Sequence, residues 1–290
     1  MKKIHALALV TALLLAPFAP VSDNLPLASV VHAAAQQDII KEYTRPAKTS
    51  ADKDKERSVE APVPWLLVED HRIEALNANG KCVTYSSHPV LHVKGEGRET
   101  LSRALDAWNK HEAQAAKKGF DFAYECKNGD RQGGFLEDIA YFDYSVITKW
   151  GRVDEQMISF CSFGISYTGG IHPMHGEGGT TFDTRTGKEV PLAALVTNRE
   201  ALLQALAAAF HAQYPGREEE LFAFDIREQL ERIHPAEKAL DTFSWYMGTR
   251  GELVFLYPPY ALAPYASGDF TLTIERADAP QLFIDAYSID

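Results

Sequence analysis

The sequence predicts an α+β protein in which antiparallel sheet is packed by helices, and three features carry that prediction. Runs of alternating apolar and polar residues recur along the chain, at the two-residue period of half-buried strands. Leu101, Leu105, Trp108 and Ala115 recur instead at helical spacing within a polar segment, which marks an amphipathic helix. Asn79-Gly80 separates two of the strand-like runs as a hairpin turn, because both residues tolerate positive φ. The chain has 290 residues, of which 46% are hydrophobic, enough for a substantial core in one or two domains.

Taken in order, residues 1–35 read as a signal peptide. Lys2 and Lys3 form its basic start, and the apolar run from Ala6 to Ala16 is too short to span a bilayer. Small residues at Val31, Ala33 and Ala35 suit cleavage. Residues 36–62 are rich in Lys, Asp, Glu, Ser and Thr and poor in apolar residues, and are expected to be a disordered linker.

A small N-terminal α+β subdomain is expected over 63–150. It contains a strand from Trp65 to Leu76, the Asn79-Gly80 turn, and a returning strand from Cys82 to Val93, bent at Pro89. A helix from Glu99 to Lys118 follows. Lys117 and Lys118 suit its C-terminal end, and Gly119 is placed to cap it. Two strands, Phe120 to Cys126 and Glu137 to Trp150, complete the unit.

The larger C-terminal subdomain is expected over 151–290. A tight turn at Val153-Asp154 leads into a strand from Gln156 to Tyr167, which Gly169 and Gly170 end. Thr180 to Asp183 and Lys188 to Leu192 read as a hairpin. Thr197 with Glu200 forms a capping box for a helix that buries Leu202, Leu203, Leu206 and Phe210 and stops at Tyr214-Pro215-Gly216. A second helix from Glu218 to Ile233 follows. A hairpin, Phe243 to Met247 with Glu252 to Tyr257, and a last strand, Phe270 to Ile274, close the chain.

The formal net charge of −11 argues against nucleic-acid partners and anionic membranes, and would steer a basic partner inward. No second long apolar run follows the signal, so the mature protein is expected to be secreted or periplasmic, in the cell envelope, with no membrane span. Of the three cysteines, Cys82 and Cys126 are the favoured disulfide in an oxidising compartment, because both are placed near strand ends. Cys161 lies in an apolar run and reads as a buried thiol.

One stretch stands out. Leu253 to Phe270 begins as a strand, is stopped by Pro258 and Pro259, and continues through Tyr260, Pro264 and Tyr265 to Gly268. A loop so rich in proline and tyrosine loses little entropy on binding and offers large ring surfaces with polar tips. It suits a preorganised recognition rim, although tyrosines that merely plug the end of a sheet would give the same pattern.

His172-Pro173-Met174-His175-Gly176-Glu177 is the most chemical motif. Two histidines and a carboxylate could serve a cell-wall hydrolase or deacetylase-like enzyme, which is the runner-up reading. The helical spacing of a zinc protease is absent, and no metal is expected. In a glycine-rich turn, His172 is as well explained by donation to nearby carbonyls. Gly164-Ile165-Ser166-Tyr167-Thr168 lacks the second glycine of a nucleophile elbow. There is no phosphate loop and no dinucleotide fingerprint, so no cofactor is expected.

Several of these segments stand in one order: Tyr167-Thr168-Gly169-Gly170-Ile171-His172-Pro173, then Phe182-Asp183 with Gly187 and Leu192, then Gly251 to Phe255, then Tyr260 to Gly268. Together they resemble the extracellular domain of the anti-sigma-V factor RsiV, a lysozyme-binding module shared with many secreted bacterial proteins. His88-Pro89-Val90-Leu91, followed by the helix with Leu101, Leu105 and Asn109, resembles the smaller domain that precedes it there and that also accompanies peptidoglycan deacetylases. The resemblance covers roughly residues 64 to 287. It implies an RsiV-like C-terminal subdomain and a non-catalytic receptor. The partner would be lysozyme or another basic protein, or peptidoglycan, held by His172, Pro258, Tyr260, Pro264 and Tyr265.

Overall fold

The computed structural model describes residues 38–49, 52–132, 138–238 and 240–287. The expected signal peptide lies outside them. The fold is α+β, with a six-stranded sheet, a three-stranded sheet and three α-helices among the described residues.

The first strand was not expected. β1 (Ile39–Pro46) pairs antiparallel along its whole length with β2 (Leu66–Leu76), so the presumed disordered linker carries the edge strand of the large sheet. Its side chains are almost all exposed, and main-chain hydrogen bonds hold it, which a search for apolar periodicity does not detect. The end of the same segment is buried. Ser58 donates through N (2.8 Å) and Oγ (2.6 Å) to Asp70, and accepts at Oγ from Ile147 N at 2.9 Å.

β3 (Cys82–Val93) returns beside β2 as expected. α1 (Glu99–Gln132) then crosses the sheet and delivers β4 (Tyr141–Val153) parallel to β3. A parallel neighbour requires such a crossover. Where β3 and β4 have parted, Asn109 of α1 takes the missing strand's place. It donates to Leu91 O and accepts from Leu91 N, both at 2.9 Å.

The expected strand Phe120 to Cys126 is therefore helix, and Gly119 is no cap. α1 runs on past it, and Gly119 serves a close approach to Asp143 of β4: a Cβ there would sit 2.2 Å from the Asp143 carboxylate oxygen. Phe120 and Ala123 then fall buried at helical spacing, while Phe122 faces outward. The expected disulfide fails with that strand. Cys82, Cys126 and Cys161 are all free thiols, and Cys126 rides on α1.

β5 (Met157–Tyr167) and β6 (Met174–Asp183) complete the sheet in antiparallel order. The expected junction at residues 150 and 151 thus falls inside β4, within one continuous sheet. β7 (Trp245–Met247), β8 (Leu253–Tyr257) and β9 (Phe270–Ile274) form the second, antiparallel sheet.

The two sheets touch through backbone. A Cβ at Gly179 would sit 1.9 Å from Trp245 O, and Ser159 Oγ accepts from Met247 N at 2.8 Å. Gly179 of β6 is thus a strand residue that lets another main chain approach.

α2 (Arg199–Gln213) lays Leu202, Leu203, Leu206 and Phe210 into one core with Phe255 and Leu272. Its cap is Asn198, whose Oδ1 accepts from Ala201 N at 2.8 Å, rather than the expected Thr197. Thr197 N donates instead to Leu282 O. The expected second helix is shorter: α3 (Ile226–Ile233) starts only after the chain has turned through Phe224, and Asp225 caps it.

Candidate functional site

β8 ends at Tyr257, and the two prolines that follow cannot continue its ladder. The chain turns back on itself there: Ala261 N donates to Pro258 O and Tyr260 N to Ala263 O, both at 3.0 Å. Tyr260 is forced to φ 69° and left 51% exposed. Tyr265 opens a single helical turn, Tyr265–Ser267, which Gly268 closes at positive φ before β9 begins.

From the other sheet, Gly169 and Gly170 at positive φ carry the chain around a fully exposed Ile171 to His172, Pro173 and β6. These segments meet. Tyr265 stacks on His172, with ring centroids 4.0 Å apart, and donates its hydroxyl proton to Pro173 O at 3.0 Å. His172 donates through Nδ1 to the same carbonyl at 2.9 Å, as the turn reading expects.

His175 meets Tyr265 edge-on at 5.6 Å and lies tilted against Phe163 at 5.7 Å, and its Nε2 lies 3.2 Å from Asp269 Oδ2. Tyr260 lies 5.7 Å from Tyr265. Pro258 lies over β6, 3.3 Å from where a Cβ of Gly176 would be, and Pro264 stands exposed ahead of the Tyr265 turn. The structure thus gathers His172, Pro258, Tyr260, Pro264 and Tyr265 around one junction of the two sheets.

Asp269, Phe163 and Ile171 complete the surroundings, and the sequence did not single them out as site residues. Asp269 directly follows the Tyr/Pro loop and could have been taken with it. Phe163 arrives only through strand register, which puts it opposite Glu177 and next to the His175 pair.

The Tyr265 hydroxyl donates to the Pro173 carbonyl at 3.0 Å and lies 3.4 Å from His175 Nδ1, contacts that fix the ring in place. Glu177 feels the charges of Lys149, Asp269 and His175. Burial, the largest influence, pushes its carboxyl above the usual range beside Cys161, whose thiol burial pushes up to about 12. Among the described residues no group of three or more His, Cys, Asp or Glu side chains is placed to hold a metal ion.

Residues 193–277 match the family model described as "Protein of unknown function (DUF3298)". That stretch contains Tyr260 and Tyr265 and begins after His172. The fold is similar to that of a DUF3298-family protein of Bacteroides fragilis, at 14% identity and TM-score 0.54, covering 76% of this chain and 94% of that one. A DUF3298-family protein of Pseudomonas aeruginosa also matches, at 14% identity and TM-score 0.44, over 86% of this chain and 93% of that one. No curated protein matches the chain. Among the described residues no helix is long and apolar enough to cross a membrane.

Proposed function

We propose that this chain is a non-catalytic binding module of the bacterial cell envelope, and that the Tyr260–Tyr265–His172 rim is its recognition surface. One observation carries the reading: Tyr265 is locked by its stack on His172 and its bond to Pro173, while Tyr260 beside it remains half exposed. A rim held in place before contact loses little freedom on binding, and tyrosine rings are efficient anchors. The opposite arrangement, with both rings walled in by strands, would have removed the basis for recognition.

The resemblance to the RsiV extracellular domain, together with a net charge of −11, points to lysozyme or another basic protein as partner. Peptidoglycan is the other candidate in the same compartment. A hydrolytic reading through His172, His175 and Glu177 has less support, because His172 and Tyr265 direct their protons to one backbone carbonyl.

Calorimetry with lysozyme and with peptidoglycan fragments tests the proposal. Tyr260→Ala is expected to weaken binding by about 1–2 kcal/mol with an unchanged thermal midpoint, since the ring is half exposed. Failure of the unmodified protein to bind either probe would sink it.

A further inference from the structure

Among the described residues only two that are not glycine sit in the left-handed backbone region, and both are large aromatics on the surface. Phe224 has φ 56° and is 75% exposed; Tyr260 has φ 69° and is 51% exposed. A bulky side chain at positive φ is a genuine outlier, and such strain clusters at functional positions. An exposed ring gains little packing to offset it.

The two loops are one unit. Phe222 N donates to Leu262 O at 3.1 Å, and Gln229 Nε2 of α3 donates to Ala261 O at 2.7 Å. Phe222 is itself 41% exposed. The pair of loops therefore sets Phe222 and Phe224 on a segment tied directly to the Tyr260 turn.

Charge decides what would cover it. Residues 217–228 hold Glu218, Glu219, Glu220, Asp225 and Glu228 against Arg217 and Arg227. Both arginines are already paired, Arg217 with Glu220 at 2.6 Å, and Arg227 with Glu200 at 2.6 Å and Glu231 at 2.7 Å. Glu219 is exposed, and Asp269 adds a carboxylate at the far side of the Tyr265 turn. The Phe222 ring already takes one cation: the Arg232 guanidinium lies 5.8 Å from its centroid. Exposed aromatics bordered by carboxylates are complementary to a surface bearing lysine and arginine.

We infer that Phe222, Phe224 and Tyr260 are the apolar anchors of a docking surface for a basic protein, with Glu219 and Asp269 meeting its cationic side chains. This rests on the recognition reading of the rim, and extends that site to a loop the rim did not include.

Titration calorimetry with lysozyme as the cationic probe, at low and at physiological salt, tests it on the full chain. Phe224→Gly is expected to weaken binding about tenfold. Its thermal midpoint should hold or rise, because glycine accepts positive φ without strain. Glu219→Lys should weaken binding further at low salt than at physiological salt. Both variants binding like the unmodified protein would overturn the inference, as would a clear fall in the midpoint of Phe224→Gly, which would make that ring structural. Loss of binding in Tyr260→Ala with both loop variants intact leaves the rim standing and removes the docking loop. Binding of peptidoglycan fragments but not of lysozyme overturns the basic partner alone, and binding of neither removes rim and loop together.

Discussion

Tyr257 closes β8 with its ring buried and its hydroxyl without a partner among the described residues. A buried hydroxyl left unbonded carries a desolvation cost that phenylalanine lacks. Tyr257→Phe is therefore expected to be neutral or to stabilise by up to about 1 kcal/mol in urea unfolding. Asp143 presents a related case with a charge. Its carboxyl is packed under Gly119, and burial pushes it up to about 6. The folded form thus holds its proton more tightly than the unfolded chain. Its contribution to stability is fully present below about pH 4 and is lost as pH rises through about 6. Asp143→Asn should stabilise at pH 8 by on the order of 1–3 kcal/mol and change little near pH 4, as thermal melts at the two pH values would show.

At the scale of elements, glycine sets the architecture where one segment crosses another. Gly119→Ala is expected to cost about 1–3 kcal/mol, since the added methyl collides with Asp143. Adding Asp143→Ala should recover much of that loss, and a double-mutant cycle measures the coupling. This contact explains why α1 was read as ending at Lys118. A glycine after two lysines has the same local chemistry whether it caps a helix or lets one pass over a carboxylate.

Among the elements read correctly, Phe270–Ile274 shows its burial on alternate residues, and Cys82–Val93 is a longer run buried on both faces that the Asn79-Gly80 turn marked off. β1 was missed because an edge strand held by main-chain bonds leaves no periodic trace in its side chains. In the candidate site, the Tyr/Pro loop was legible from composition. Its junction with His172 was signalled only by the family resemblance, because residues 172 and 265 meet across two separate sheets. Nothing in the composition of 222–224 announced a left-handed phenylalanine.

For the molecule as a whole, two buried imidazoles make folding sensitive to acid. Burial, with His71 nearby, lowers His88 to about 4, and burial with Arg199 nearby lowers His234 to about 3. The unfolded chain takes up these protons first, near pH 6.5. The stability they confer is present above that and is lost as pH falls toward 4. His88→Phe should flatten the decline in melting temperature between pH 6.5 and 4, measured by circular dichroism.

The large sheet is two antiparallel meanders, β1–β3 and β4–β6, zipped along four residue pairs from Thr84–Tyr141 to Ser87–Tyr144. Each meander is assembled from near neighbours in the chain and can form early. The zip must wait for the whole length of α1 to swing across, which places the slow step of assembly there. The same narrow join is where the sheet would part first under load. The halves also share a core of Leu66, Val68 and Leu91 with Ile147, Ile158 and Phe160, so opening the join bares apolar surface on both and neither meander outlasts the other by much.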